Sequence, residues 1–129
     1  MQPYMFPYIG YLQLMNAVDH FVFMDDVTFI KKGWMNRNKI IANGEEQIFT
    51  IPVNKISQNK KINEHYISSQ WSTKLIRSIQ HNYQKSPYFE EYSIHLFSLI
   101  KELEDKNFSD ACVLIFETIA DILNITSKW

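Results

Sequence analysis

The chain has 129 residues, 46% of them hydrophobic, a size and composition that suit one domain burying about two-thirds of its unfolded surface. Thirteen basic and fourteen acidic residues leave a formal net charge of −1, so no whole-molecule field draws it to nucleic acid or to an anionic membrane, and any anion site must be local. Apolar runs stop at about six residues against the roughly 20 that cross a bilayer, no charged-then-apolar leader opens the chain, and the lone Cys112 forms no internal disulfide, so a cytoplasmic location is expected.

In chain order, Pro3 and Pro7 bracket an irregular aromatic segment, after which Tyr11, Leu14, Met15 and Val18 fall at helical spacing and predict a short helix over about 8–18. His20 to Met24 is a continuous apolar run between Asp19 and Asp25-Asp26, the pattern of a strand buried on both faces in a sheet covered by helices. Asn43-Gly44 between two alternating stretches predicts a β-hairpin near 38–53, with Pro52 limiting the second strand. Residues 54–61 read as a polar loop, and Ile62 to Ile67 as a weaker strand.

From Ser69 the period turns helical. Trp71, Leu75, Ile79 and Tyr83 recur every four residues behind a Ser69 N-cap. Ser86-Pro87 restarts a helix with proline in its first turn and a stripe of Phe89, Tyr92, Leu96, Leu99 and Leu103. Ser109 is the expected cap of a third helix, with Ala111, Ile115, Ile119 and Ile122 facing inward. The expected class is therefore α/β, one domain over 1–129, with a hairpin-bearing sheet in the N-terminal half and three C-terminal helices packed on it. Both ends read as cut, because the chain opens on loop chemistry and closes on a strand barely begun.

Chemistry-bearing residues crowd into the first forty positions. Asp25-Asp26 sits where the run of 21–24 ends, and a carboxylate at the carboxyl end of a strand suits a base, a Mg²⁺ ligand or simply a turn. Lys31 to Lys39 gathers four cations, two amides and Trp34: Arg37 presents a planar fork for phosphate or carboxylate, Asn36 and Asn38 both donate and accept, and Trp34 offers a stacking face. A solvated basic loop anchored by Trp34 is the alternative. Gln2 to Tyr11 places a rigid aromatic loop ahead of a helix N-terminus, whose free amides favour an anion. Lys74, Arg77, His81 and Lys85 line one helix face, which suits a solvated surface as well as an anionic substrate. His20, His65 and His95 have no partner at metal or triad spacing and read as structural or surface residues, and Cys112 as a buried small hydrophobe. No catalytic-serine elbow, paired zinc histidines or phosphate-binding loop is present.

Gln2-Pro-x-x-x-Pro-Tyr-Ile-Gly-Tyr-x-Gln-Leu, Asp19-x-Phe-Val-x-x-Asp-Asp-Val-x-Phe-x-Lys-Lys-Gly-Trp and Asn36-Arg-Asn-Lys-Ile together resemble the WbqC-like protein family, and Ile51-Pro-Val and Asn82-Tyr-x-Lys-x-Pro-Tyr-Phe are similar to its later segments. The resemblance implies a bacterial transferase-like enzyme of surface-polysaccharide, O-antigen type, sugar metabolism, acting on a nucleotide-activated or amino sugar. It also implies a longer protein, with a strand ahead of the Gln-Pro motif and a strand-rich region after the third helix. Carried onto this sequence, the ligand positions are Gln2, Pro7, Gly10, Tyr11, Lys32, Trp34, Asn36, Arg37 and Asn38, with Asp26 as base and Asp25 supporting it. Trp34 or Tyr11 would stack on a base or sugar. No cofactor is assigned, and the expected partners are a small anionic or sugar ligand and a pathway enzyme. A noncatalytic module of a polysaccharide assembly complex and an inactive fragment of a longer enzyme are the alternatives.

Overall fold

Asn43 and Gly44 both take positive φ, 53° and 82°, and close a two-residue turn whose twist matches its strands. The strands are β1, Arg37–Ala42, and β2, Glu45–Thr50, antiparallel with Arg37 opposite Thr50 and Ala42 opposite Glu45. The computed structural model describes residues 1–129. The architecture is mixed α/β, with this hairpin in the first half and three helices in the second, as the sequence predicts. The helix α1, Ile9–Ala17, lies in the N-terminal half and brings the total to four.

Residues 19–24 depart from the expected doubly buried strand. They run extended but form no regular strand: Phe21 is buried while Val22 and Met24 are 70% and 48% exposed. Each edge of the segment is met by one residue only. On one edge Lys128 N–H donates to Asp19 O at 3.0 Å and Phe21 N–H to Lys128 O at 2.7 Å. On the other, the Met1 amine donates to Val22 O at 2.6 Å and Met24 N–H to Met1 O at 2.8 Å. The hairpin is thus the only regular sheet, and the Val22 and Met24 side chains stay largely open to solvent.

The expected strand at 62–67 is a single 3-10 turn, Ile62–Glu64, followed by isolated bridges from Tyr66 to Asn107 and from Ile67 to Val53. The Glu64 carboxylate bends the chain there by accepting the Lys61 N–H at 2.7 Å.

The three later helices are α2, Ser72–Tyr83, α3, Phe89–Glu102, and α4, Phe108–Leu123. Much of their stripes is where the spacing puts it: Leu75, Leu99, Leu103, Ala111 and Ile115 are buried, whereas Tyr92 and Ile122 are 41% and 46% exposed. Their starts differ from expectation. α2 begins three residues after Ser69 and has no cap from its own N-terminal side chain. Glu104, beyond α3, supplies one instead, accepting the Ser72 N–H at 2.9 Å. Pro87 lies just outside α3, which starts after Tyr88 in the left-handed region. Asn107, not Ser109, caps α4, its Oδ1 accepting the N–H groups of Ser109 at 2.9 Å and Asp110 at 3.4 Å.

The Ser72 backbone N–H, then the Ser72 hydroxyl, holds the Glu104 carboxyl below the usual glutamate range. A depressed folded-state pKa contributes stability that is present above the unfolded value and lost as pH falls through the folded one. Glu104→Gln is therefore expected to melt below the wild type at neutral pH, by about 1 kcal/mol or less for a half-exposed cap, with the gap closing below about pH 4. Thermal melts at pH 7 and pH 3 check it.

One core takes side chains from every part of the chain, including Met5, Phe29 and Met35 from the opening segment, Ile51, Ile62 and Ile67 from the middle, and Leu103, Phe108 and Cys112 from the helices. Burial holds the Cys112 thiol well above its usual range, as expected of a small core hydrophobe. A second cluster joins Tyr11, Met15, Phe21 and Phe116. No helix is long and apolar enough to cross a membrane.

Candidate functional site

Two of the three sequence loops meet. Met5 N–H donates to Met35 O at 2.8 Å, and the Asn38 side-chain amide donates to Phe6 O, so the opening segment is tied to the stretch leading into β1. Between them opens a cleft of about 490 Å³. One wall carries Tyr4, Met5, Phe6, Pro7, Tyr8 and Tyr11; the other carries Ile30, Gly33, Trp34, Arg37 and Asn38. Arg37 is the only charged side chain on either wall.

Arg37 and Lys39 lie on the same face of β1, two residues apart, and bracket Trp34: their charged groups stand 5.9 Å and 5.8 Å from its ring centroid. The guanidinium has a single protein acceptor, Lys32 O at 3.5 Å, which leaves most of its five donors free. Lys39 is held by Glu46 at 2.5 Å. Trp34 is 52% and Tyr8 71% exposed, so each cleft wall presents one open aromatic face. Gly10 makes room for Tyr8, since a Cβ at Gly10 would meet Tyr8 Cε2 at 2.6 Å. The start of α1 has no side-chain cap and no acidic residue in its first turn, so its free amides add positive potential beside the same loop.

The remaining expected residues have other surroundings. Tyr11 lines the cleft but is buried between Tyr4, Phe21 and Phe116, with its hydroxyl donated to Gln2 O. Burial, then the neighbouring Tyr4, keeps its phenol protonated far above its usual range, as a donor bracing Gln2. Gln2 takes part through that backbone carbonyl. Asn36 is buried and spends its amide on Ile51 O at 2.8 Å while its own carbonyl accepts Ile51 N–H at 2.8 Å, extending the hairpin ladder by one pair. Lys32 is exposed in the left-handed region and meets Arg37 through its carbonyl.

Asp25 and Asp26 lie outside the cleft lining. The Asp25 carboxylate accepts the Ser109 hydroxyl at 2.6 Å and the Asn63 amide at 3.3 Å, which fastens the start of α4 to the 3-10 turn. Asp26 is exposed and has no hydrogen-bond partner in the chain. No group of three or more His, Cys, Asp or Glu side chains gathers anywhere. His65 is buried against Phe29, its Nδ1 bonded to Lys61 O at 2.7 Å and its Nε2 accepting Ser57 N–H at 3.2 Å. Lys74, Arg77, His81 and Lys85 are all exposed along α2 and its end.

The profile of the WbqC-like protein family matches residues 2–129. The chain belongs to the WbqC-like family. Over 124 residues it is 30% identical to the uncharacterized protein Rv1507c of Mycobacterium tuberculosis, a match covering 95% of this chain and 54% of that one. The chain thus spans about half the length of this curated relative. No solved structure matches it. Among the lining residues that the sequence did not single out are Tyr4, Met5, Phe6, Tyr8, Ile30 and Gly33; Tyr8, an aromatic between Pro7 and the start of a helix, is the one whose position was legible.

Proposed function

We propose that this WbqC-like chain is the ligand-binding part of a transferase-like enzyme of surface-polysaccharide sugar metabolism, and that its cleft takes a nucleotide-activated or amino sugar. The observation that carries the reading is the pairing of an underused Arg37 guanidinium with the exposed Trp34 ring in an otherwise apolar and aromatic cleft. In this arrangement Arg37 holds the anionic group beside the start of α1. Trp34 and Tyr8 cover a planar ring, while Asn38, Pro7 and Gly10 fix the wall. The free carboxylate of Asp26 is the proposed base. Because Asp26 stands outside the lining, that role requires the substrate to extend past the cleft, and Asp25 supports the arrangement by holding α4 in place.

A ligand that binds only the folded state raises the melting temperature, by the equivalent of about 2.7 kcal/mol at a hundred times its Kd. Nucleotide-sugars and ATP with Mg²⁺ are to be screened by thermal shift. A nucleotide-sugar is expected to raise the Tm, and Arg37→Ala to weaken binding by roughly tenfold to a hundredfold, the value of about 1.5–3 kcal/mol for a hydrogen bond to a charged group. No response from any nucleotide-sugar would refute the reading. A second reading, a noncatalytic module of a polysaccharide assembly complex, is favoured by one fact: the cleft lining contains no Asp, Glu, His, Cys, Ser or Lys. Binding without turnover once pathway enzymes are supplied would select it.

A further inference from the structure

The two edges of the hairpin are finished very differently. The N–H groups of β1 that point away from β2 all have partners: Arg37 donates to Trp34 O at 3.4 Å, Lys39 to Asn38 Oδ1 at 2.7 Å and Ile41 to the Tyr83 hydroxyl at 2.8 Å. Asn43, at the turn, donates to Asn82 Oδ1 at 3.1 Å. The helix α2 and the turn before β1 thus close that edge. On β2 the outward residues are those registered with Ile41, Lys39 and Arg37, namely Glu46, Ile48 and Thr50. None of their N–H groups donates to any atom of the chain. Every β2 side chain except Phe49 is exposed, and Ile48 is 48% exposed. An open edge carrying an exposed isoleucine, with neither proline nor bulge to blunt it, is a template for another strand.

We propose that the occupant of this edge is β2 of a second copy, paired antiparallel about a two-fold axis through Ile48. This register is the one in which all three outward residues of each copy meet outward residues of the other, so that every free N–H finds a carbonyl. Ile48 packs against Ile48 of the second copy. Glu46 lies opposite Thr50 of the second copy, and Arg37, which is registered with Thr50, comes next in the same row across the sheet. Opposite charges therefore share each outer row. A two-fold through Glu46 would instead set two carboxylates face to face, which is destabilising. The product is a four-stranded sheet in the order β1-β2-β2-β1, with the Arg37 of each cleft on its outer strands.

Sedimentation velocity of the whole chain from low-micromolar to near-millimolar concentration tests this. A monomer–dimer equilibrium is expected. Ile48→Pro removes the central free N–H, which makes no bond within the chain, and is expected to leave a folded monomer. Thr50→Arg, placing a cation opposite Glu46 of the second copy, is expected to tighten the dimer several-fold, and Thr50→Glu to loosen it several-fold. The Thr50 pair decides the matter even where Ile48→Pro does not fold. A monomer at all concentrations overturns the proposal, as does a dimer that responds alike to both Thr50 changes. Neither result bears on the nucleotide-sugar screen, which reads the cleft of a single copy.

Discussion

Asp25→Ala should lower the stability of the chain by about 2–4 kcal/mol, because it strips the acceptor from two part-buried donors at once. The Ser109 hydroxyl and the Asn63 amide both end on this carboxylate, at 2.6 Å and 3.3 Å. A second tie runs alongside: Asn63 N–H donates to Asp25 O at 3.1 Å, and the Asn107 amide to Asn63 O at 2.6 Å. The start of α4, which brings Phe108, Ala111 and Cys112 into the core, is thus held at two points, by Ser109 on Asp25 and by Asn107 on Asn63. Deleting the carboxylate leaves its donors without partners beside a helix N-terminus that favours negative charge. Asp25→Asn is expected to lose about half as much, since its oxygen still accepts from one donor while its amide faces the other. Urea denaturation of the three proteins checks the order. A carboxylate needed only for chemistry would show the opposite pattern, with stability unchanged in both variants.

That network marks the limit of what the residues alone disclose. The hairpin was legible because Asn-Gly dictates a turn type, and the turn type dictates the register. The three C-terminal helices were legible from their four-residue spacing, although their caps were not. Glu104 reaches α2 from 32 residues away, a contact no local pattern contains. The run His20 to Met24 announces apolar content but not which face is covered, and here only Phe21 is buried while Val22 and Met24 are open. Asn36, Arg37 and Asn38 looked like one grip because they are adjacent. A strand turns adjacent residues to opposite sides. Asn36 therefore serves the backbone, Asn38 ties down Phe6, and Arg37 alone of the three brings a charge with most of its donors free to the cleft. The loops of 2–11 and 32–38 converge through the Met5–Met35 and Asn38–Phe6 hydrogen bonds, which no local pattern in either loop contains.

The largest loss is expected from Phe116→Ala, at about 3–5 kcal/mol for a fully buried phenylalanine, a large share of the roughly 5–15 kcal/mol that holds a domain together. Phe116 is 0% exposed and its ring centroid lies 4.9 Å from Phe23, 5.3 Å from Tyr11 and 6.3 Å from Phe21. It is therefore the contact through which α4 supports both the 19–24 segment and the inner end of the cleft wall. Tyr11 is seated on it from one side and braces Gln2 through its hydroxyl on the other. Emptying the Phe116 position should consequently loosen the cleft as well as the core. Phe116→Leu, which keeps most of the volume, is the variant for a binding measurement. It should remain folded, lose stability in denaturant, and bind the thermal-shift ligand less tightly than the wild type although residue 116 is not itself part of the cleft lining. Unchanged affinity in a destabilised Phe116→Leu would show that the cleft stands on its own segment and not on α4.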